Sequence, residues 1–171
     1  MQRTGAIIGT AVFFVLVPLV LAGLIPWWMT RWQFLPPFLD LVSTRVIGAV
    51  LIVVGIPGLL DSFRRFAVEG LGTPAPIAPT RYLVVSGLYR YVRNPMYVSV
   101  TAVVLGQALL FGDWHLLVYG GLFWLAVHLF VLGYEEPTLK ETFGKEYETY
   151  RANVPRWIPR GTPWEGGKER S

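Results

Sequence analysis

The sequence predicts an all-α integral membrane protein, with about four transmembrane helices and a cytoplasmic amphipathic helix at the C-terminus. Three observations predict it. The composition is 53% hydrophobic and 15% charged, with a mean hydropathy of +0.47, well to the apolar side of soluble domains. Four long apolar stretches stand almost free of charge, and a helix needs roughly 20 such residues to cross the hydrocarbon core. The Lys and Arg residues gather in the segments that would share one membrane side, as the positive-inside rule requires.

Composition also removes several kinds of chemistry. Cys is absent and His occurs only twice, which leaves no disulfide framework, no thiolate nucleophile, no Cys-ligated metal site and too few His for a His-based one. A net charge of +4 and an isoelectric point near 9.6 would suggest nucleic acid in a soluble chain. Here the basic residues flank apolar runs, so anionic lipid headgroups are the expected partner and nucleic acid is not.

The whole chain, 1–171, reads as one membrane domain. After Arg3 an uncharged run predicts a first span over about 5–28, too long for a signal-peptide core and kept as an uncleaved helix. Pro26, Trp27, Trp28 and Trp32 form an aromatic belt at its far end, and Met29 to Asp40, with Pro36-Pro37, is a short external loop. A second span follows over about 42–63, with Arg45 near one end and Pro57-Gly58 as a possible kink. The Pro/Gly-rich stretch from Gly70 to Pro79 cannot be helical; it is either a plain linker or an ordered loop shaping a site. The third and fourth spans, about 95–111 and 114–134, are joined at Gly112-Asp113 into an antiparallel hairpin.

Arg64, Arg65, Arg81, Arg90 and Arg93 lie between spans two and three, and Lys140, Lys145, Arg151, Arg156 and Arg160 in the tail; only Arg31 and Arg45 fall on the other side. The expectation is a multi-pass inner-membrane protein with both termini cytoplasmic. Between Glu136 and Val154, the residues Leu139, Phe143, Tyr147, Tyr150 and Val154 recur at spacings of three and four. They make one apolar stripe on a charged helix that lies on the membrane surface or packs over the mouth of the bundle. Pro155 and Pro159 end it.

Two polar motifs sit at the cytoplasmic ends of these spans. Asn94-Pro95 is a helix start, since Pro disfavours helix at the residue before it and suits the first helical position. The free N–H groups of that turn, with Arg93 beside them, would attract a carboxylate or phosphate; the plainer reading is a helix start with lipid-binding arginines. Glu135-Glu136 ends the fourth span, where buried carboxylates are costly and need partners. The hairpin returns the pair to the membrane face of Arg93 and Asn94, with Tyr89, Tyr91 and Tyr97 between. The plainer reading is an ordinary salt bridge between Arg93 and one Glu.

The ordered set Leu83-Val84-Val85-Ser86-Gly87-Leu88-Tyr89-Arg90-Tyr91-Val92-Arg93-Asn94-Pro95-Met96-Tyr97, Gly106-Gln107, Glu135-Glu136, Phe143-Gly144 and Val154-Pro155 resembles the isoprenylcysteine carboxyl methyltransferase family, a group that includes membrane phospholipid N-methyltransferases. The resemblance covers Leu83 to Pro159. It implies an integral-membrane enzyme that moves a methyl group from S-adenosylmethionine, bound on the cytoplasmic side, to a lipophilic acceptor reached from the bilayer. The cofactor contacts it implies fall on Arg81, Tyr82, Leu83, Val84, Tyr89, Asn94, Pro95, Met96, Tyr97 and Glu135, with Glu136 as the alternative carboxylate.

Physical chemistry agrees with that placement. A methionine carboxylate suits the Asn94-Pro95 helix start, an ammonium and ribose hydroxyls suit Glu135 or Glu136, and a sulfonium suits tyrosine faces. Methyl transfer needs alignment and exclusion of water, and a base only where the acceptor is protonated. The family's common Arg-His-Pro is Arg93-Asn94-Pro95 here, and Val131 stands where the isoprenylcysteine enzymes carry an Arg one turn before the Glu pair. Trp124, His128 and Val131 share the helical stripe of Glu135 and are the candidate acceptor-lining residues. His128 is a base or acceptor-orienting group on one reading and a buried hydrogen-bonded residue on the other. A catalytically silent module and a small transporter are the rivals from other classes. The transporter is opposed by the scarcity of ionisable groups deep in the spans.

Overall fold

The computed structural model describes residues 16–65, 68–69 and 82–166. The start of the expected first span, Arg81 and the Pro/Gly-rich connection over 70–79 lie outside the described residues. Among the described residues every regular element is helical: α1 (Leu16–Thr30), α2 (Val42–Arg65), α3 (Pro95–Phe111), α4 (Trp114–Phe143) and α5 (Lys145–Asn153). Both α2 and α4 are long and apolar enough to cross a membrane, while α1 and α3 are shorter apolar helices. Pro57 lies inside α2 without interrupting it.

The central element is α3, which packs against α2 on one side and α4 on the other. Small residues permit the close α2–α3 approach: a Cβ on Gly48 would stand 2.5 Å from the Gly106 carbonyl oxygen and 2.6 Å from the Leu110 nitrogen. Gly48→Val is therefore expected to destabilise the protein by about 2 kcal/mol through overpacking. Gly121→Ala, where an added Cβ meets nothing within 4 Å, should leave the thermal midpoint unchanged or raise it through helix propensity; equal midpoints for both variants would contradict this packing.

Two prolines open their helices in the same way. Pro26 has no N–H for the carbonyl of Ala22, four residues back, and its ring crowds that oxygen. The turn before it widens into a π-helix over Val20–Leu24, closed by the Ile25 N–H on the Val20 carbonyl. The Ala22 carbonyl instead accepts from Gln107 Nε2 at 2.6 Å, and the Leu21 carbonyl from the Tyr119 hydroxyl at 2.8 Å. Gln107, 6% exposed, also accepts from Trp32 Nε1 at 3.0 Å. It thus joins α1, α3 and the following loop, and it satisfies backbone that hydrocarbon could not. Pro137 acts likewise in α4: Val131–Glu135 is a π-helical turn closed by the Glu136 N–H on the Val131 carbonyl.

The amphipathic helix expected between Glu136 and Val154 is broken. Gly144 adopts φ 51°, ψ −123°, a conformation open to Gly and strained for other residues, so the stripe is divided between the end of α4 and α5. Its members still converge. Tyr147, Tyr150 and Val154 form a buried cluster with Leu83, flanked by Val85, Leu139, Phe143 and Trp164. The apolar face of α5 is therefore covered by the segment that precedes α3.

Candidate functional site

The segment from Tyr82 to Asn94 is held from two directions. On one side the Arg65 guanidinium, at the end of α2, bonds Asp61 at 2.9 Å, Glu69 at 3.1 Å and the Ser86 hydroxyl at 2.8 Å, and that hydroxyl donates to Glu69 in turn. A side chain on Gly87 would collide with this guanidinium, so the close approach requires glycine there. On the other side the chain after α5 runs along the loop. The Arg93 N–H donates to the Pro155 carbonyl at 2.9 Å, the Arg160 N–H to Tyr91 at 3.0 Å and the Trp164 N–H to Arg90 at 2.9 Å. The Tyr150 hydroxyl donates to the Tyr89 carbonyl at 2.7 Å.

These supports bring the polar motifs together. The Glu136 carboxylate, 7% exposed, is held by two arginines. Arg156 grips it through Nε at 2.6 Å and Nη2 at 3.0 Å, and Arg93 Nη1 reaches Oε1 at 2.9 Å while also donating to the Tyr147 hydroxyl at 3.1 Å. The fork of Arg156 suits two-point recognition of a carboxylate, and this hydrogen bond raises the Arg156 pKa above its ordinary value. Beside this cluster the Tyr97 hydroxyl donates to Glu135 Oε2 at 3.0 Å. Tyr89 is 5% exposed, and burial, with Tyr150, Glu135 and Tyr97 close by, pushes its hydroxyl well above the usual value. Tyr97 and Glu135 are thus paired across α3 and α4, with the Tyr89 hydroxyl near them and beside Ser62 of α2.

The other sequence-predicted residues divide by environment. Asn94 stands at the N-cap position of α3, but its side chain makes no cap; Nδ2 donates instead to the Arg156 carbonyl at 3.1 Å. Pro95 is the first residue of α3. Met96 points into a core with Leu59, Phe63 and Val100, and Leu83 into the cluster with α5. Val84 is buried and Tyr82 half exposed.

On the acceptor stripe Val131 is fully buried. Trp124 and His128 stack with ring centroids 5.0 Å apart, and Trp157 Nε1 donates to His128 Nδ1 at 3.0 Å. An indole can only donate, so that ring nitrogen is the acceptor. Among the described residues no group of three or more His, Asp or Glu could hold a metal ion.

Sequence reasoning missed Arg156, Trp157 and the bending role of Pro137. The local signal for the last was present, as proline directly after the Glu pair widens the preceding turn. Arg156 had none beyond lying between prolines in a basic tail. One atom is left over in the cluster: Arg93 Nε is buried and no group among the described residues accepts its proton.

A chain whose described residues form only helices, two of them apolar and of membrane length, with a buried charge cluster where the helices meet the polar loops, is the class these observations define. The chain belongs to the phospholipid methyltransferase family, whose sequence profile matches residues 43–146. It is also similar to the protein-S-isoprenylcysteine O-methyltransferase of Schizosaccharomyces pombe (strain 972 / ATCC 24843), with 40% identity over 80 residues, 45% of this chain. The match spans 33% of the length of that relative.

Proposed function

We propose that the protein is an integral-membrane methyltransferase that uses S-adenosylmethionine and acts on a lipophilic acceptor. The observation that carries this reading is the meeting of Tyr97 and Glu135 beside Tyr89, in a chain of the phospholipid methyltransferase family. The reading includes four spans formed by α1 to α4, both termini and the site on the cytoplasmic face, and an inner-membrane location. The basic residues between α2 and α3 and in the tail support that orientation.

The residues present fit the cofactor. The Nε of Arg93, which has no acceptor among the described residues, offers a charged donor to its carboxylate, Glu135 offers an acceptor to its ammonium or ribose hydroxyls, and Tyr89 and Tyr97 offer aromatic faces to its sulfonium. When bound, the cofactor supplies an electrophilic methyl group. The chain itself orients and desolvates: the Tyr97 hydroxyl holds the Glu135 carboxylate, the paired arginines hold Glu136 and with it the last two turns of α4, and the tail pins the loop to keep water out.

The acceptor resembles that of an isoprenylcysteine carboxyl methyltransferase in being lipophilic. A second reading, transfer to an amine of a phospholipid or to a thiol, is favoured by Val131, an apolar and fully buried residue where a carboxylate-binding Arg would be required.

The test is calorimetric titration of the detergent-purified protein with S-adenosylmethionine, followed by transfer of labelled methyl to prenylcysteine, aminophospholipid and thiol acceptors. Saturable binding and labelling of one acceptor class are expected. A folded sample that binds no S-adenosylmethionine would overturn the reading in favour of a silent membrane module.

A further inference from the structure

On the opposite side of α3 from Tyr97 and Glu135 lies a groove of about 550 Å³ between α2 and α3, within the ~300–1,000 Å³ of small-molecule sites. Val54, Pro57 and Gly58 of α2 face Val98, Ser99 and Ala102 of α3 across it. The glycine keeps it open, since a Cβ on Gly58 would stand 2.7 Å from the Ser99 hydroxyl. At 100° per residue the groove stripe Pro95-Val98-Ser99-Ala102 lies roughly 150° around α3 from Tyr97. An occupant of this groove is therefore separated from the Glu135 neighbourhood by the helix itself.

The groove is apolar along its length and polar at one end, where Asp61 and Tyr91 line it. The Asp61 carboxylate is already held by Arg65 Nε at 2.9 Å. Val54, Pro57 and Asp61 recur at helical spacing, and Arg64 and Arg65 continue that face one turn beyond the groove, Arg65 being the one already paired with Asp61. Arg64 is exposed and makes no ion pair among the described residues. The neighbouring outer face of α2 carries Val50, Val53 and Val54, each more than half exposed, as a face turned to hydrocarbon would be. An apolar channel along a membrane-length helix, with an exposed Arg that has no ion pair among the described residues one turn beyond its polar end, is complementary to one molecule of the bilayer. From this we infer that the groove binds a phospholipid, with one acyl chain between α2 and α3 and the phosphate at Arg64.

The test uses the full chain in detergent and compares phosphatidylglycerol with diacylglycerol of the same acyl chains, by native mass spectrometry and by the shift in thermal midpoint. The wild type should bind the phospholipid more tightly than the diacylglycerol. Ala102→Phe, which fills the groove, should lose both. Arg64→Gln should weaken phosphatidylglycerol about fivefold, equivalent to the ~1 kcal/mol of one basic residue at a lipid surface, and leave diacylglycerol unaffected. S-adenosylmethionine binding should be the same in all three proteins. Undiminished phospholipid binding by Ala102→Phe would overturn the inference, as would equal affinity for the two lipids, the result expected of a groove that receives a partner helix. Arg64→Gln is a surface change, so its arm decides the matter even where the larger side chain impairs folding.

Discussion

A Glu136→Gln variant is expected to lose about 3 kcal/mol of stability. The wild-type carboxylate accepts hydrogen bonds from Arg93 and Arg156, and the Arg93 side chain is 9% exposed. Removing the anion leaves that guanidinium charged, buried and uncompensated. Breaking such a pair costs about 3 to 5 kcal/mol, and the lower end applies because Arg156, 27% exposed, can turn to water. Denaturant titration in a fixed detergent should register the change as an earlier midpoint with the slope unchanged. The tail should loosen with it, since Arg156 also accepts from Asn94 through its carbonyl. A loss under ~1 kcal/mol, the value of exposed pairs, would show that the cluster is open to solvent.

The adjacent carboxylate should behave in the opposite way. Glu135→Gln preserves shape and still accepts from the Tyr97 hydroxyl, which lies 3.0 Å from it in the wild type, so stability should change little. On the proposed reading S-adenosylmethionine binding should weaken about 10- to 100-fold, the ~1.5–3 kcal/mol carried by a hydrogen bond to a charged group. Tyr97→Phe should weaken it less, and adding Tyr97→Phe to Glu135→Gln should add little, because both changes act on one interaction. Full cofactor affinity in Glu135→Gln would remove this residue from the site and shift attention to Glu136. Asn94→Ala is a poorer probe, because the amide ties α3 to the tail and its loss would disturb both functions.

The reading from sequence was most reliable where the signal is local. The apolar runs mark α2 to α4, the Asn94-Pro95 step marks the start of α3 and the Gly112-Asp113 turn marks the hairpin, because composition and proline stereochemistry act within a few residues. The stripe Leu139, Phe143, Tyr147, Tyr150 and Val154 is equally local, and its members do share one cluster. The break at Gly144 was missed because an apolar period of three and four carries no information about φ. The two π-turns follow from Pro26 and Pro137, but which donors take the freed carbonyls does not: Gln107 lies 85 residues from Ala22.

By itself, then, the sequence determined that this chain is helical and apolar enough for the membrane, where α2 and α3 lie, and that Arg93, Asn94, Tyr97 and the Glu pair gather at one end of the bundle. Only the tertiary structure decided which partners each carboxylate takes. Glu135 and Glu136 are neighbours with identical side chains, and nothing in their spacing distinguishes them. The π-turn imposed by Pro137 turns one toward Tyr97 and the other toward Arg93 and Arg156. The choice rests on burial, because a carboxylate removed from water must take the partners that packing brings to it, and one of those partners, Arg156, arrives from a tail whose path is set by backbone hydrogen bonds to the loop before α3.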